Sequence, residues 1–255
     1  MILTLVFIFL FGLIIGSFLN CLTWRLYKEE TILGRSYCPK CRVNINWYDN
    51  IPVLSFLFLK RKCRSCHSKI SWQYPLVEII TAVLFVLVFY FNFSHDFSII
   101  NLFYDLFLVS LLIIIFVFDW RWFLIPTQVL FFGGLIFFFI NIFLGFSIWF
   151  LLLNMIIGVS FFFLQYFLTR RKGIGEGDIW LGGFLGLAFP IFGHFALLIF
   201  LTYIIGGLVS IILIIFGLKK IGSKLPLGIF LSASALISIF WADKLVSWYL
   251  GLVLG

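Results

Sequence analysis

The stretch LLIIIFVFDWRWFLIP, residues 111–126, places eight apolar residues in a row before Asp119. Similar runs recur along the whole chain, which is 64% hydrophobic and only 11% charged, with a mean hydropathy of +1.20. A water-soluble core of 255 residues cannot bury that much apolar surface. The composition therefore predicts an all-α membrane protein that crosses the bilayer several times.

Other apolar runs on either side of this stretch are bounded by charge, glycine or proline and approach the length of a membrane span. About eight transmembrane helices are predicted, at residues 2–24, 75–93, 99–118, 127–145, 147–168, 179–193, 195–218 and 227–253. Six or seven spans are the alternatives, because the division at His194 is short and residues 241–244 interrupt the last run. The first run lacks a basic segment and a small-residue cleavage site, so we expect a membrane helix there and not a signal peptide.

The basic residues predict the orientation of the chain. Of its 18 Lys and Arg residues, 17 fall in loops on one predicted side, and only Lys244 falls on the other. Since short loops rich in Lys and Arg stay in the cytoplasm, both ends are expected outside. The loops expected in the cytoplasm are residues 25–74, 119–126, 169–178 and 219–226. Orientation and contact with anionic membrane lipid explain the net charge of +8, so we expect no nucleic-acid partner.

Two Cys-x-x-Cys pairs lie 21 residues apart in the first cytoplasmic loop. They consist of Cys38, Cys41, Cys63 and Cys66. Four thiolates presented by two short turns are typical of a structural zinc site, and a cytoplasmic location disfavours stable disulfides. The metal-free alternatives are two redox pairs or unrelated cysteines. Cys21, inside the first span, is expected to pack as a small apolar side chain.

Small residues at a spacing of four occur at Gly12 and Gly16 and at Gly182 and Gly186. This spacing is typical of helices whose backbones approach closely in membranes. We therefore expect tight helix contacts at both places.

The chain has only ten acidic residues, so each carboxylate in an apolar segment needs a partner or water. Glu78 and Asp105 lie inside predicted spans, and Asp243 is expected to pair with the adjacent Lys244. Asp119 and Asp178 lie at the cytoplasmic boundary of two different predicted helices.

Asp119 and Asp178 can meet at that boundary, where two close carboxylates share a proton and act as one acid and one base. Gly173, Gly175 and Gly177 precede Asp178, and a backbone without side chains can approach an extended peptide. This arrangement favours an aspartyl protease. The alternative is ordinary helix-start chemistry, with glycine-rich turns and an aspartate cap.

The order of these motifs resembles the bacterial type IV prepilin peptidases, which are membrane aspartyl proteases of the GxGD type. Gly175-Glu176-Gly177-Asp178 stands on the GxGD motif, and Asp119 stands seven residues before Pro126, as the first catalytic aspartate does. The remaining matches are residues 16–20 with Arg25, the two cysteine pairs, and residues 50–55, 74–78 and 225–228. Thr127 and Trp180 depart from the family, since many relatives carry Asp and Lys there.

The resemblance implies that Asp119 and Asp178 cleave the basic leader from type IV prepilin or pseudopilin precursors at the cytoplasmic side of the bacterial inner membrane. Gly175 and Gly177 would bind the substrate backbone. It also implies N-methylation of the new N-terminus with S-adenosylmethionine as donor, for which Glu78 and Asn20 are candidate residues.

Three parts are expected: a first transmembrane helix, residues 1–24; a zinc-binding loop, residues 25–74; and a helical bundle with the protease site, residues 75–255. Two other classes remain open. The intramembrane carboxylates would serve as a proton or cation relay in a transporter, or the protein would be a zinc-ribbon adaptor without chemistry. Transporters often show paired repeats, and none is visible in this sequence.

Overall fold

A computed structural model of the protein describes residues 1–94, 97–170, 173–220, 223 and 225–254. Arg171, Lys172 and Lys224, which contribute to the predicted orientation, lie outside these residues. The described part contains nine α-helices and one 3-10 helix, Trp47–Asn50, but no β-strand. The α-helices are α1 (Ile2–Lys28), α2 (Leu54–Phe58), α3 (Gln73–Ser94), α4 (Ile99–Trp122), α5 (Thr127–Phe143), α6 (Ile148–Leu168), α7 (Glu176–Ala188), α8 (Phe192–Ile215) and α9 (Leu227–Leu254).

Every helix except α2 coincides with one of the eight predicted spans, so the all-α membrane fold is confirmed. Six of them, α1, α3, α4, α6, α8 and α9, are long and apolar enough to cross a membrane. The 17 residues of α5 and the 13 of α7 extend only about 26 and 20 Å, less than the roughly 30 Å hydrocarbon core. These two helices are therefore shorter than a straight crossing requires.

Two local expectations were wrong. The sixth and seventh predicted spans separate at residues 189–191 and not at His194, because Pro190 has no N–H with which to continue α7. By contrast, the predicted last span, residues 227–253, is confirmed as one helix that continues through residues 241–244. Asp243 pairs with His194, whose Nε2 lies 3.0 Å from its Oδ1, and not with the adjacent Lys244.

The chain divides into two compact units, Met1–Ile114 and Ile115–Gly255, with the boundary inside α4. In the first unit, α1 packs along α3 at the predicted small residues. A Cβ added to Gly12 would lie 2.6 Å from Ala82 Cα, and one added to Gly16 would lie 2.7 Å from Glu78 Cα. The two glycines therefore allow direct contact between the helix backbones.

In the second unit, α7 is buried almost completely, from Leu181 to Ala188, against α5 and α6. Its predicted small residues form the contact with α6. A Cβ on Gly182 would lie 2.3 Å from a Phe162 ring carbon, and one on Gly186 would lie 2.5 Å from the Asn154 carbonyl oxygen. The close approach predicted at this pair is confirmed.

The carboxyl end of α7 lies in this apolar interior, where its last carbonyl groups cannot reach water. Two buried asparagines supply the missing donors. Asn141 Nδ2 of α5 donates to the Leu187 carbonyl at 2.8 Å, and Asn154 Nδ2 of α6 donates to the Pro190 carbonyl at 2.8 Å. These hydrogen bonds explain how a short helix can end inside the bundle.

Substitution of Gly186 by Ala is expected to destabilise the protein by about 1–3 kcal/mol, because the new methyl group overlaps the α6 backbone, which cannot rotate away. The matched control is Gly207→Ala in α8, where an added Cβ meets no atom within 4 Å. The control should be neutral or slightly stabilising, since Ala favours a helix. Thermal unfolding of the detergent-solubilised variants measures the difference, and equal midpoints would contradict this account of the α6–α7 contact.

Candidate active site and cysteine cluster

Asp119 lies near the end of α4 and is 5% exposed. Its Oδ2 accepts a hydrogen bond from the Ile229 N–H at 3.1 Å, and the Gly228 amide also bonds to the carboxylate. Both amides belong to the first turn of α9, where the positive end of the helix dipole favours negative charge. The amino end of α9 therefore stabilises a carboxylate that burial alone would disfavour.

Asp178 is the third residue of α7 and is 7% exposed. Its Oδ2 accepts a hydrogen bond at 2.9 Å from the N–H of Gly175, the residue that caps the helix, and the Asp178 N–H bonds back to the Gly175 carbonyl at 3.2 Å. The hydrogen bond from the Gly175 N–H to the Asp178 side chain is the second half of a capping box. Asp178 thus takes part in starting α7, although it is not the N-cap residue itself.

The two carboxylates lie close enough for the charge of Asp178 to act on Asp119. Each has one oxygen held by backbone N–H groups at the start of a helix. Two buried like charges repel each other, so the pair is more favourable when only one of the two groups is ionised. The arrangement is suited to one general acid and one general base.

The glycines before Asp178 pack in different ways. A Cβ on Gly177 would lie 2.8 Å from Ile125 Cβ, so Gly177 lets the start of α7 approach the turn that follows α4. A Cβ on Gly175 would lie 3.5 Å from Asp178 Oδ2, an ordinary contact. The exposed Glu176 accepts a hydrogen bond from the Tyr166 hydroxyl at 2.6 Å. Absence of a side chain at position 177 thus helps bring the two aspartate-bearing segments together.

Gly228 has a role at the site that sequence reasoning did not assign. A Cβ at this position would lie 2.8 Å from Asp119 Oδ2. The sequence signal that could have identified Gly228 is the motif of residues 225–228. The contact between this segment and Asp119 joins positions about 110 residues apart in the chain. Only a residue without a side chain leaves the Asp119 carboxylate in place against α9.

The four loop cysteines converge as predicted. Their sulfur atoms all lie within 4.8 Å of one another, and Cys38 Sγ lies 3.8 Å from Cys66 Sγ. Sulfurs that bind one Zn²⁺ tetrahedrally at about 2.3 Å are about 3.8 Å apart. All four cysteines are free thiols, as metal ligation requires. The cluster fits a zinc ribbon.

Each cysteine pair sits on a turn of the same construction. The Cys38 N–H bonds to the Val43 carbonyl at 3.0 Å, as the Cys63 N–H bonds to the Ser68 carbonyl at 2.9 Å. The residue after each second cysteine, Arg42 or His67, has a positive φ, of 56° or 54°. This repetition aims two sulfurs from each turn at a common point.

Hydrogen bonds within the cluster lower the pKa of the Cys38 and Cys66 thiols, whereas burial and the neighbouring thiols raise the pKa of Cys41 to about 11. The Ser68 hydroxyl lies 3.1 Å from Cys66 Sγ, and this hydrogen bond lowers the pKa of the Cys66 thiol to about 6. Metal ligation needs deprotonated cysteines. Cys66 is therefore prepared for ligation at neutral pH.

Three buried polar residues of the first unit, Asn20, Arg25 and Glu78, lie where α1, α3 and the loop meet. Arg25 is 5% exposed and donates to the carbonyls of residues 32, 34 and 35, the last two at 3.0 and 2.9 Å. Asn20 Nδ2 donates to the Tyr74 carbonyl at 3.1 Å. Glu78 Oε2 accepts from the Val53 N–H at 2.7 Å. These bonds fix the cytoplasmic loop to the ends of α1 and α3.

The fold and the paired aspartates define an all-helical, multi-pass membrane protein with the features of an aspartyl hydrolase and a cysteine cluster outside its spans. Two family models match the chain: the bacterial peptidase A24 N-terminal domain over residues 10–92 and the type IV leader peptidase family over residues 106–212.

Relatives match over nearly the full chain. A prepilin leader peptidase/N-methyltransferase of Bacillus subtilis is 32% identical over 97% of this chain and 98% of its own length. Proteins with the same name from Aeromonas salmonicida and Aeromonas hydrophila are each 31% identical, over 97% and 95% of this chain and 94% and 92% of their own lengths. The protein belongs to the type IV leader peptidase family.

Family membership and the full-length relatives give no support to the transporter alternative. No solved structure matches this chain.

Substitution of Gly228 by Ala is expected to lower peptidase activity by about tenfold or more, because the methyl group displaces the Asp119 carboxylate from its backbone donors. Gly251→Ala is the matched control in the same helix, since a Cβ there meets no atom within 4 Å. Precursor cleavage by both variants at matched protein concentration is the measurement. Full activity of a folded Gly228→Ala protein would contradict the proposed contact of Asp119 with α9.

Proposed function

We propose that this protein is a membrane endopeptidase that cleaves the leader of type IV prepilin or pseudopilin precursors, with Asp119 and Asp178 as the catalytic pair. The observation that carries this proposal is the placement of the two buried carboxylates at the amino ends of α9 and α7, within range of each other's charge. Relatives that are named prepilin leader peptidase/N-methyltransferase, and that match nearly the whole chain, support this proposal.

The chemistry follows from the shared proton. The ionised carboxylate takes a proton from a water molecule as the water oxygen attacks the carbonyl carbon of the scissile peptide. The protonated carboxyl group donates to the carbonyl oxygen, and the leaving amine receives a proton as the C–N bond breaks. The backbone amides of α9 and Gly175 hold the two carboxylates in place during both proton transfers.

Gly175 and Gly177 are proposed to lie next to the substrate backbone. Gly175 has extended dihedrals, φ −81° and ψ 158°, immediately before α7. An extended peptide can pair with extended backbone that has no side chain between the two chains. The basic leader followed by an apolar segment would place its junction at the cytoplasmic end of the membrane spans.

The second proposed activity is N-methylation of the new amino terminus, an activity that the names of the relatives include. S-adenosylmethionine, when bound, supplies a methyl group on a sulfonium sulfur. The acceptor nitrogen forms the new N–C bond as the S–C bond breaks, and it loses one proton. We propose Asn20 and Glu78 as residues of this activity, because the structure has both at one polar junction of the first unit.

The cysteine cluster is proposed to bind one structural Zn²⁺ through Cys38, Cys41, Cys63 and Cys66. The convergence of the four sulfurs supports this proposal. The proposed parts of the chain are a first transmembrane helix, residues 1–24, the zinc-binding loop, residues 25–74, and a helical bundle that contains the protease site, residues 75–255.

Membrane lipid is the remaining proposed partner, in the inner membrane of a bacterium. Trp47, Leu57 and Phe58 are 79%, 62% and 83% exposed on the loop of the first unit, and basic residues follow at positions 60–62. Exposed apolar side chains beside Lys and Arg suit the head-group region of an anionic leaflet.

Replacement of Cys63 by Ser is expected to remove bound zinc and disorder the loop, because three thiolates leave the tetrahedral site incomplete. Cys21→Ser is the control, since Cys21 lies in α1 outside the cluster. Elemental analysis of protein purified without chelators gives the zinc content per chain. Less than about one zinc in ten unaltered chains would contradict the metal assignment.

Asp119→Asn and Asp178→Asn should each abolish cleavage, with a loss of at least about 10²–10⁴-fold, because a shared-proton pair acts as one unit. Asn keeps the size of the side chain and an oxygen that accepts the backbone hydrogen bond. Glu176→Gln should have a mild effect, since Glu176 is exposed and its carboxylate accepts a hydrogen bond from the Tyr166 hydroxyl.

The assay is the mass of a prepilin-like precursor after incubation with each variant. Thermal unfolding confirms that the variants are folded. Substantial cleavage by folded Asp119→Asn protein would refute the catalytic pair and leave the capping role of both aspartates as their explanation.

A further inference from the structure

Helix α9 carries three buried serines whose hydroxyl groups have no hydrogen-bond partner within the described part of the chain: Ser232, Ser234 and Ser238. They are at most 2% exposed. Elsewhere in the membrane helices, the fully buried hydroxyls of Thr81 and Thr202 bond to the carbonyl four residues earlier, at 2.7 and 2.8 Å. A buried hydroxyl without such a bond is destabilising, so each of the three serines calls for an explanation.

Ser232 lies on the face of α9 that meets Asp119. Residues four apart in a helix share a face, so Ser232 lies one turn beyond Gly228. A Cβ on Gly228 would lie 2.8 Å from Asp119 Oδ2, and the Ile229 N–H donates to the same oxygen. The next turn of α9 after the Asp119 contact therefore presents a buried hydroxyl on the same side.

Ser234 lies on a different face of the same helix. It shares the face of Phe230, whose ring would lie 3.4 Å from a Cβ added to Gly206 of α8. Positions 232 and 234 are separated by about 200° around the helix axis. Ser234 is thus as buried as Ser232 but is directed towards α8 and away from Asp119.

The spacing along α9 suits one water molecule between the Ser232 hydroxyl and the Asp119 carboxylate. Residues four apart on a helix have Cβ atoms about 5–6 Å apart, and two hydrogen bonds in series through one water span about 5–6 Å. Both residues are described, and no direct hydrogen bond joins them. A buried water needs at least two polar partners, which the hydroxyl and the carboxylate supply.

We propose that Ser232 is a positioning residue of the peptidase site and that its hydroxyl and the Asp119 carboxylate hold one water molecule between them. The Ile229 N–H restrains the carboxylate at the start of α9, and the held water restrains it from one turn further along the helix. The carboxylate thereby keeps the orientation from which it exchanges a proton with the attacking water. This proposal rests on the proposed catalytic role of Asp119.

Replacement of Ser232 by Ala should lower kcat for cleavage of a prepilin-like precursor about tenfold and leave KM unchanged. The variant loses a hydrogen bond that orients the carboxylate, but it loses no contact with the substrate. Ser234→Ala is the matched control and should keep the kcat of the unaltered protein. An unchanged kcat in Ser232→Ala, or an effect on KM alone, would overturn the positioning role.

Thermal unfolding separates this role from a purely structural one. Removal of a buried hydroxyl that has no partner relieves a cost, so Ser234→Ala should raise the unfolding midpoint by about 2–4 °C. Ser232→Ala should show no such gain, because its hydroxyl has a partner in the held water. Equal gains in the two variants would mean that Ser232 is as unpartnered as Ser234 and would contradict the proposal.

Infrared difference spectra detect the hydrogen bond without proteolysis. At a pH at which the Asp119 carboxyl group is protonated, its C=O stretching band is identified by its disappearance in Asp119→Asn. Loss of a hydrogen bond moves such a band to higher frequency. We expect this shift in Ser232→Ala and not in Ser234→Ala, and an unshifted band in Ser232→Ala would refute the water-mediated contact.

Cleavage by Asp119→Asn is measured in parallel. An inactive Asp119→Asn protein together with a fully active Ser232→Ala protein would count against the role of Ser232 alone. Full activity of folded Asp119→Asn would count against the proposed catalytic pair, and the infrared band would still test the hydrogen bond.

Discussion

The second unit depends on the rule that backbone polar groups in an apolar interior must find partners within the protein. Helix α7 is too short to reach both membrane surfaces, so its carboxyl end is satisfied inside the bundle, whereas Gly175 and Glu176 at its amino end are exposed. The side chain of Asp178 accepts the free N–H of Gly175 at one end, and Asn141 and Asn154 donate to carbonyls at the other. Close contact with α6 through Gly182 and Gly186 is what brings the asparagines within reach.

The same rule explains how two carboxylates persist in an apolar environment. A helix start has unpaired N–H groups and a positive dipole end, and each aspartate lies against one. Asp178 caps its own helix, whereas Asp119 of α4 caps the start of α9 through Ile229 and Gly228. Structural capping is compatible with the proposed acid–base chemistry, because the hydrogen bonds that start each helix also orient the two carboxylates.

The first unit contains a different arrangement, the attachment of the cysteine-bearing loop to a pair of membrane helices. Arg25 and Asn20 of α1 and Glu78 of α3 hold the loop by hydrogen bonds to its backbone or to the adjoining start of α3. Zinc bound to the cysteine cluster would order the far part of the loop, and these bonds order the near part.

The sequence by itself determined the class of fold and the identity of the candidate groups. Continuous apolar runs predict membrane helices because lipid leaves the backbone few other structures. The eight runs coincide with eight of the nine described α-helices, six of which are long enough to cross a membrane. The Cys-x-x-Cys pairs predict a cluster because each short turn fixes two sulfurs locally, and the cysteines do converge. Asp119 and Asp178 stood out because charge is rare in such a chain.

Tertiary structure alone decided how these groups are held. The contact of Asp119 with the start of α9 joins segments about 110 residues apart, and the capping of α7 by Asn141 and Asn154 joins three helices. The pairing of His194 with Asp243, in place of the adjacent Lys244, has the same origin. Local sequence patterns indicate which residues must be buried away from lipid or water. A hydrogen bond also requires that the partner helix have the right position along its axis and the right rotation about it. Those two quantities are set by the packing of whole helices against one another.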